Sequence, residues 1–122
     1  MAGLTNAESK ATLDARFPTS GGTDYLAYSD DGSSEFAGLA RTAIGATGWE
    51  AATTADPSVK ANANALTSAA ATSGGTITHV AVFSASTAGT QRTDWQAVDT
   101  SKAVGVGDQV TVAVGAFQIT LS

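Results

Sequence analysis

The stretch 109-QVTVAVGAFQITLS-122 decides the predicted fold. Apolar side chains alternate with polar or small ones on both sides of Gly115-Ala116, at Val110, Val112, Val114, Phe117, Ile119 and Leu121. A two-residue loop that begins with glycine is typical of a type II′ hairpin turn, because that position needs a positive φ. Such a turn pairs Val114 with Phe117 and carries all these apolar groups on one face. We therefore predict a C-terminal β-hairpin that packs on further sheet, since a lone hairpin is marginally stable.

The composition predicts one soluble domain with an unusually uncharged surface. The chain has 122 residues, no cysteine, a formal net charge of −5 and 14% charged residues. Without cysteine, disulfides and thiolate zinc sites are excluded, and six Lys or Arg give no basic footprint for nucleic acid. No apolar run reaches the length of a membrane span and no signal-peptide pattern opens the chain, so we expect no membrane partner and synthesis in the cytoplasm. A surface this poor in charge suits burial against partners.

One helix and several short strands precede the predicted hairpin. Thr5 and Glu8 have capping-box spacing and Pro18 disfavours helix at Phe17, so we predict a helix over residues 4–17, with an arm that orders on a partner as the alternative. Side-chain alternation predicts strands at 24–29, 36–44, 58–67, 76–84 and 92–98, and the β-branched 76–84 should be central. The predicted core consists of Leu26, Ile44, Val80, Val82, Phe83, Val110, Val112, Ile119 and Leu121.

These elements indicate a mainly β fold. We predict a compact antiparallel β-sandwich or barrel-like domain over residues 19–122, preceded by a short N-terminal helix or arm over residues 1–18.

Catalytic and metal-binding patterns are missing from the sequence. The one histidine, His79, lies mid-strand without a second histidine or a cysteine to share a metal, so a packed histidine with one hydrogen bond is expected. Asp30 and Asp31 beside Gly32 suggest calcium, but the bidentate glutamate of a calcium loop is absent and a polar turn is the better interpretation. The aromatic residues Tyr25, Tyr28, Trp49 and Trp95 could instead stack on sugars, anchor a protein interface or fill the core.

Two segments of the chain resemble a known family. The segments THVAVFSASTAGT (78–90) and VGVGDQVTVAVGAFQITLS (104–122) are similar to small tailed-bacteriophage virion proteins of the capsid decoration, head-fibre and tail-fibre-like kinds. The shared pattern is a VTHV-type strand, a small-residue loop, a GD pair before alternating apolar residues, and a GA pair before a second alternation that ends in leucine. Here the loop reads STAGT in place of the commoner double glycine, and the first half of the chain matches only loosely.

The resemblance implies a structural protein of the virion, without catalytic residues or a cofactor. We expect a capsid decoration protein that binds the major capsid protein, stabilises the head and lies on the capsid surface as a homotrimer. A tail-fibre or tail-tip component and a carbohydrate-binding adhesin module are the alternatives. The expected partner contacts are Leu4, Leu13, Phe17, Tyr28, Trp49 and Trp95.

Overall fold

Strands dominate the secondary structure. The computed structural model describes residues 5–55 and 58–121. Within them one helix, α1 (Asn6–Arg16), precedes the strands β1 (Tyr25–Ser29), β2 (Thr42–Ala43), β3 (Ser58–Ala61), β4 (Leu66–Thr67), β5 (Gly75–Phe83), β6 (Gln96–Val104), β7 (Thr111–Val112) and β8 (Gln118–Leu121). The pairs β1–β2, β1–β5, β5–β6 and β3–β8 are antiparallel. The predicted fold class, mainly β with antiparallel sheets and a short N-terminal helix, is confirmed.

Helix α1 begins and ends where its capping residues predict. The Thr5 side chain accepts a hydrogen bond from the Glu8 N–H at 3.2 Å, which satisfies one of the free donors of the first turn. At the other end the Phe17 N–H donates to Leu13 O at 2.8 Å, and Pro18 follows. The helix packs against β3 and β8. Within the described residues no helix is long and apolar enough to cross a membrane.

A four-stranded sheet with the order β2-β1-β5-β6 contains the predicted central strand. β5 lies between β1 and β6. Leu26 stands opposite Val82 and Tyr28 opposite Val80, so these four side chains share one face, and all four are buried. The Tyr28 hydroxyl hydrogen-bonds to the Thr42 hydroxyl, and burial raises the pKa of Tyr28. This face belongs to the core, as the alternation of β1 and β5 predicts.

A bulge-like irregularity in the register interrupts the pairing of β5 with β6, the edge strand. Ile77 pairs with Lys102, but His79 pairs with Ala97. Residues 98–101 of β6 therefore stand opposite Thr78 alone. Bulges bend a strand and disrupt its ladder, and natural proteins use them to prevent an edge strand from pairing with other chains. The long edge strand β6 is accordingly a poor template for adding another strand.

The predicted C-terminal hairpin is wrong. β7 belongs to a two-stranded sheet with β4, whereas β8 pairs with β3. In the predicted hairpin Val114 would share the buried face with Phe117, but Val114 is 56% exposed and Phe117 only 5%. The turn itself is correct in one respect, since Gly115 has a φ of 76°. Alternation located the strands but could not identify their partners.

The side chain of Asn62 explains why the two segments separate. Asn62 is fully buried; its Nδ2 donates to Ala113 O at 3.0 Å, and its Oδ1 accepts from the Phe117 N–H at 3.0 Å. Its backbone O accepts from the Gly115 N–H at 2.9 Å. Groups on both sides of the 113–117 turn thus bond to one residue of a distant segment, and no hairpin ladder forms there.

We expect Asn62→Ala to lower the free energy of unfolding by about 2 kcal/mol, because it leaves the buried Phe117 N–H without its acceptor. It also removes one of the two hydrogen bonds to the Ala113 carbonyl, which keeps the bond from the Ala116 N–H at 3.0 Å. Urea denaturation followed by circular dichroism measures this change. The exposed Asn64 bonds through its side chain to Thr47 O at 3.3 Å, so Asn64→Ala is the control, with an expected loss below about 0.5 kcal/mol. Equal losses in the two variants would contradict the role assigned to Asn62.

Three other predicted elements differ from the structure. Only Thr42–Ala43 of the predicted strand 36–44 is strand, because a turn around Gly38 interrupts it. The predicted strand 58–67 is split into β3 and β4 by residues 62–65, at the point where Asn62 bonds to the C-terminal turn. The predicted strand 92–98 begins later and continues to Val104 as β6. Of the predicted core, Phe83 and Val112 are only half-buried, and the side chain of Leu121 lies outside the described residues.

By its internal contacts the chain forms two compact units. Unit 1 comprises residues 1–22, 44–65 and 112–122, and therefore holds α1, β3 and β8. Unit 2 comprises residues 23–43 and 66–111, and holds the four-stranded sheet. The domain boundary predicted after residue 18 stays a prediction, since contact density alone does not show which segments fold independently.

Candidate functional site

Most of the predicted partner contacts lie inside the chain. Leu13 is 4% exposed, Phe17 6%, Tyr28 0% and Trp49 2%. Leu4 lies outside the described residues, and Trp95 is half-buried. A side chain that its own chain covers offers no area to a partner, so we withdraw Leu13, Phe17, Tyr28 and Trp49 as surface contacts. Trp95 keeps an exposed part.

Trp49 is instead the centre of the core of unit 1. The ring centroid of Phe17 lies 5.4 Å from that of Trp49 in an edge-on arrangement, and the ring of Phe117 lies 6.0 Å away. Trp49 also forms an isolated β-bridge with Asn62. The three rings come from the end of α1, the segment before β3 and the C-terminal turn. They therefore join the three separate parts of unit 1.

Unit 2 presents part-exposed aromatic side chains on one face of its four-stranded sheet. Tyr25 and Phe83 stand directly opposite each other on β1 and β5, so they share this face. His79 lies on the same face as Phe83, and Ala97 stands opposite His79. Trp95 lies two residues before Ala97, so its side chain is on this face as well. The ring centroids of Phe83 and Trp95 are 5.8 Å apart. We call Tyr25, Phe83 and Trp95, all half-buried, the aromatic row.

Arg41 lies over the Phe83 ring of the aromatic row and is fixed there. Its guanidinium carbon is 4.0 Å from the centroid of the Phe83 ring, a cation–π arrangement. Its Nε and Nη2 donate to the two carboxylate oxygens of Glu35, each at 2.9 Å. The Arg41 side chain is only 7% exposed. Glu35 neutralises the charge, so Arg41 acts as a rigid brace for the row and not as a free cation.

The same guanidinium holds the loop 84–90 beside the aromatic row. Arg41 Nη1 donates to Ala85 O at 2.8 Å and to Ala88 O at 2.7 Å. Ser84 and Thr90 close the base of the loop, with the Ser84 N–H bonded to Thr90 O at 3.0 Å and the Thr90 N–H to Ser84 Oγ at 2.9 Å. Ala88 adopts a φ of 50°, which is uncommon outside glycine. Residues 86–90 are exposed, so the loop presents its tip in a fixed conformation.

The other end of this sheet face is covered. A β-carbon at Gly32 would lie 2.9 Å from the ring of His79, and one at Gly75 would lie 2.7 Å from the ring of Phe36. These close approaches show that the segment after β1 folds back over this end. His79 Nδ1 lies 2.8 Å from Thr78 Oγ1, which agrees with a packed histidine that has one hydrogen bond. The aromatic row is thus the open end of an otherwise covered face.

The acidic turn after β1 is a structural turn. Asp31 Oδ1 accepts from the Ser33 N–H at 2.8 Å, the Ser34 N–H at 2.9 Å and Ser29 Oγ at 3.0 Å. The backbone donors at Ser33 and Ser34 contribute most to holding the pKa of Asp31 well below its usual range. Because local donors already occupy the carboxylate, it is poorly suited to bind calcium. In residues 5–55 and 58–121 no group of three His, Cys, Asp or Glu could hold a metal ion.

Unit 1 contains a second polar cluster, which holds α1 against β3. Asp14 Oδ1 lies 2.7 Å from Lys60 Nζ and accepts from the Ala52 N–H at 2.9 Å, while Asp14 Oδ2 lies 2.6 Å from Lys10 Nζ. The Lys60 side chain is 0% exposed. Burial alone would raise the pKa of Asp14, but the bonds from Lys10, Lys60 and Ala52 outweigh it and hold the pKa well below its usual range. The cluster is structural, because it satisfies a buried charge.

We expect Arg41→Lys to loosen the loop 84–90, because an ammonium cannot bond both oxygens of Glu35 and two carbonyls in one plane. Amide hydrogen exchange at Ser84 and Thr90, whose N–H groups close the loop, should become roughly tenfold faster, the equivalent of one charge-assisted hydrogen bond. Lys102→Ala changes an exposed cation on β6 and is the control, with unchanged exchange at both amides. Unchanged exchange in Arg41→Lys would show that other contacts hold the loop.

Sequence reasoning found part of the aromatic row. It singled out Trp95 and named Tyr25 among the aromatic residues, but it placed Phe83 in the core. The alternation in 76–84 does contain evidence that Phe83 is partly exposed. Phe83 lies on the same side of the strand as the polar His79, so this side is not fully apolar. Arg41 gave no such signal, because its partners Ala85 and Ala88 are more than forty residues away along the chain.

Comparison with known proteins identifies the family. A search of the curated proteins returns no match. The sequence model of a family described as Podophage GP4 fiber I protein gp80 matches residues 6–120. That match extends from the first residue of α1 through the aromatic row and Arg41 into β8. The chain therefore belongs to the Podophage GP4 fiber I protein gp80 family, and is a phage virion structural protein of the fibre-like kind.

Proposed function

We propose that the chain is a structural component of a fibre on the phage virion. The match of the fibre family over residues 6–120 supports this proposal most strongly, because it covers both compact units and is not confined to one motif. The chain would act by binding and not by turnover. Its low charge and its many Thr, Ser, Gly and Ala residues suit a protein that buries surface in an assembly.

We also propose that copies of the chain assemble as a homotrimer, as the sequence resemblance implies. In a closed trimer with threefold symmetry, every copy buries the same surfaces against its neighbours. Native mass spectrometry of the purified chain tests this part separately. A mass of three chains supports it, and a monomer at micromolar concentration contradicts it.

Capsid decoration is the second candidate function, with the major capsid protein as the partner. The low share of charged residues favours it, since a lattice-bound protein needs little charge of its own to stay soluble. Summed weak contacts over many capsid subunits would provide the avidity. The two candidates differ in where the chain lies on the particle.

Location on the particle tests the proposed function. Purified virions would be labelled with gold-conjugated antibody fragments raised against the recombinant chain and imaged by negative-stain electron microscopy. A fibre component predicts label on projecting appendages. Label spread over the head would support decoration and contradict the fibre proposal. Fragments pre-incubated with the free chain are the control, and should leave the virions unlabelled.

A further inference from the structure

The aromatic row is the most distinctive surface that the proposed function leaves without a role. Tyr25, Phe83 and Trp95 remain partly exposed side by side, while Arg41 braces one of the rings and holds the neighbouring loop. This exposed loop is held by a nearly buried arginine, Arg41, and contains an alanine, Ala88, in a strained backbone conformation. Rigid loops beside exposed aromatics are typical of binding surfaces, because pre-organisation reduces the entropy lost on binding.

Polar uncharged side chains lie beside the row. Gln91 forms an isolated bridge with Phe83, so it lies on the same face, and its side chain is exposed. Its Nε2 donates to Thr93 O at 2.8 Å, which orients the amide. Ser86 and Thr87 are exposed at the tip of the loop 84–90. Aromatic faces with amide and hydroxyl groups beside them suit a sugar, whose C–H face packs on a ring while its hydroxyls form hydrogen bonds.

The charges around the aromatic row favour a neutral ligand. The cation next to the row, Arg41, has its charge matched by Glu35 through two hydrogen bonds. Arg92, on the adjoining segment, is paired with the buried carboxylate of Asp24. The chain as a whole carries a formal charge of −5. A sulfated, phosphorylated or sialylated glycan would therefore find both of these cations already matched by carboxylates, and would meet an unfavourable overall field.

The size of the row argues against a protein partner, including a second copy. Three part-covered rings expose on the order of 200 Å² of apolar area, whereas a stable protein interface buries about 800 Å² on each side. An area of this size suits a small ligand such as a short glycan.

We infer that the aromatic row, with Gln91 and the tip of the loop 84–90, is a binding site for a neutral glycan. Trp95 supplies the stacking surface, Gln91 hydrogen-bonds to sugar hydroxyls, and Arg41 is a positioning residue that acts through Phe83 and the loop. The inference extends the proposed function, but it is tested on the isolated full chain. Its failure would therefore leave the location of the chain on the virion unaffected.

Nuclear magnetic resonance of the full chain tests the site directly. The two tryptophans provide two indole N–H signals, assigned with Trp95→Phe, and the buried Trp49 is the internal control. The probes are hexasaccharides of neutral glucose, mannose and N-acetylglucosamine units, and sialyllactose and a heparin hexasaccharide as anionic counterparts. We expect at least one neutral probe to move the Trp95 signal and not the Trp49 signal, with a Kd between about 10 μM and 5 mM.

Matched variants determine whether the binding belongs to the row. Trp95→Ala should weaken binding at least tenfold and Gln91→Ala about threefold, measured by calorimetry. Val106→Ala removes an exposed apolar side chain outside the row, 76% exposed, and should leave the Kd unchanged. If Trp95→Ala does not fold, Gln91→Ala and Trp95→Phe serve in its place.

Several results would overturn the inference. They are no shift with any neutral probe up to about 10 mM, shifts with the anionic probes alone, or unchanged affinity in both Trp95→Phe and Gln91→Ala. A fall in oligomer mass for Trp95→Ala without glycan binding would instead assign the row to an interface between copies.

Discussion

Replacing Asp14 by alanine is expected to lower the free energy of unfolding by about 3 kcal/mol, because it leaves the ammonium of Lys60 buried without its counter-charge. The Lys60 side chain is 0% exposed and lies 2.7 Å from Asp14 Oδ1. The change also removes the acceptor of the Ala52 N–H and the ion pair with Lys10, at 2.6 Å. We choose the lower end of the range for broken buried pairs because the Asp14 side chain is 31% exposed. Urea denaturation of the full chain measures the loss.

Two further variants test the cause of this loss. Glu8→Ala removes an exposed carboxylate from the same helix, and should change stability by less than about 0.5 kcal/mol. Combining Asp14→Ala with Lys60→Met removes both charges. The double variant should recover more than half of the stability that Asp14→Ala alone loses, since the buried ammonium is gone. A double variant as unstable as Asp14→Ala would show that packing, and not the buried charge, is responsible.

The Asp14 cluster also predicts how stability depends on pH. Because the folded chain holds the pKa of Asp14 below its unfolded value of about 4, the contribution of Asp14 is fully present above that pH. The contribution is lost as pH falls below about 4, where the unfolded chain takes up the proton first. Thermal melts at pH 7, 4 and 3 should therefore show a smaller acid loss in Asp14→Ala than in the original chain. An equal loss would contradict this role of Asp14 and would point instead to Asp31, whose pKa is also lowered.

Trp49→Ala is expected to lower the free energy of unfolding by about 4 kcal/mol, the usual cost of removing a fully buried large aromatic side chain. Trp49 is 2% exposed and contacts the rings of Phe17 and Phe117. These rings belong to three separate segments of unit 1, so the cavity would loosen the packing of all three. Denaturation followed by near-ultraviolet circular dichroism detects the change.

Trp95→Ala is the matched control, since it removes the same side chain from a half-buried position. We expect a loss below about 1.5 kcal/mol there, because less area is removed from contact. Similar losses in the two variants would contradict the assignment of Trp49 to the core and of Trp95 to the surface.

Local structure was predictable from the sequence where one residue decides it. Thr5 and Pro18 mark the two ends of α1, Gly115 has the positive φ that its turn needs, and the β-branched strand β5 is central. Strand partners were not predictable, because alternation fixes which face a residue occupies but not which strand lies beside it. The false hairpin at 109–122 is the clearest instance, since Asn62 redirects β8 to β3.

The candidate site was predictable only in part, for a related reason. A tryptophan is noticed in any sequence, but its exposure depends on what the rest of the chain covers. Nothing in the sequence distinguishes Trp49 from Trp95 as a surface contact. The fold buries Trp49 and leaves Trp95 partly exposed in the aromatic row. The Arg41 brace and the Asp14–Lys60 pair join residues more than forty positions apart, and no local pattern reports such contacts.

The copy number of the chain relative to the major capsid protein tests the central claim most directly. Quantitative mass spectrometry of purified virions, with isotope-labelled peptides of both proteins as internal standards, provides the ratio. A fibre component predicts far fewer copies than the major capsid protein, in a number set by the symmetry of the appendages. A copy number comparable to that of the major capsid protein would contradict the fibre proposal and favour capsid decoration, and absence of the chain from the particle would contradict both.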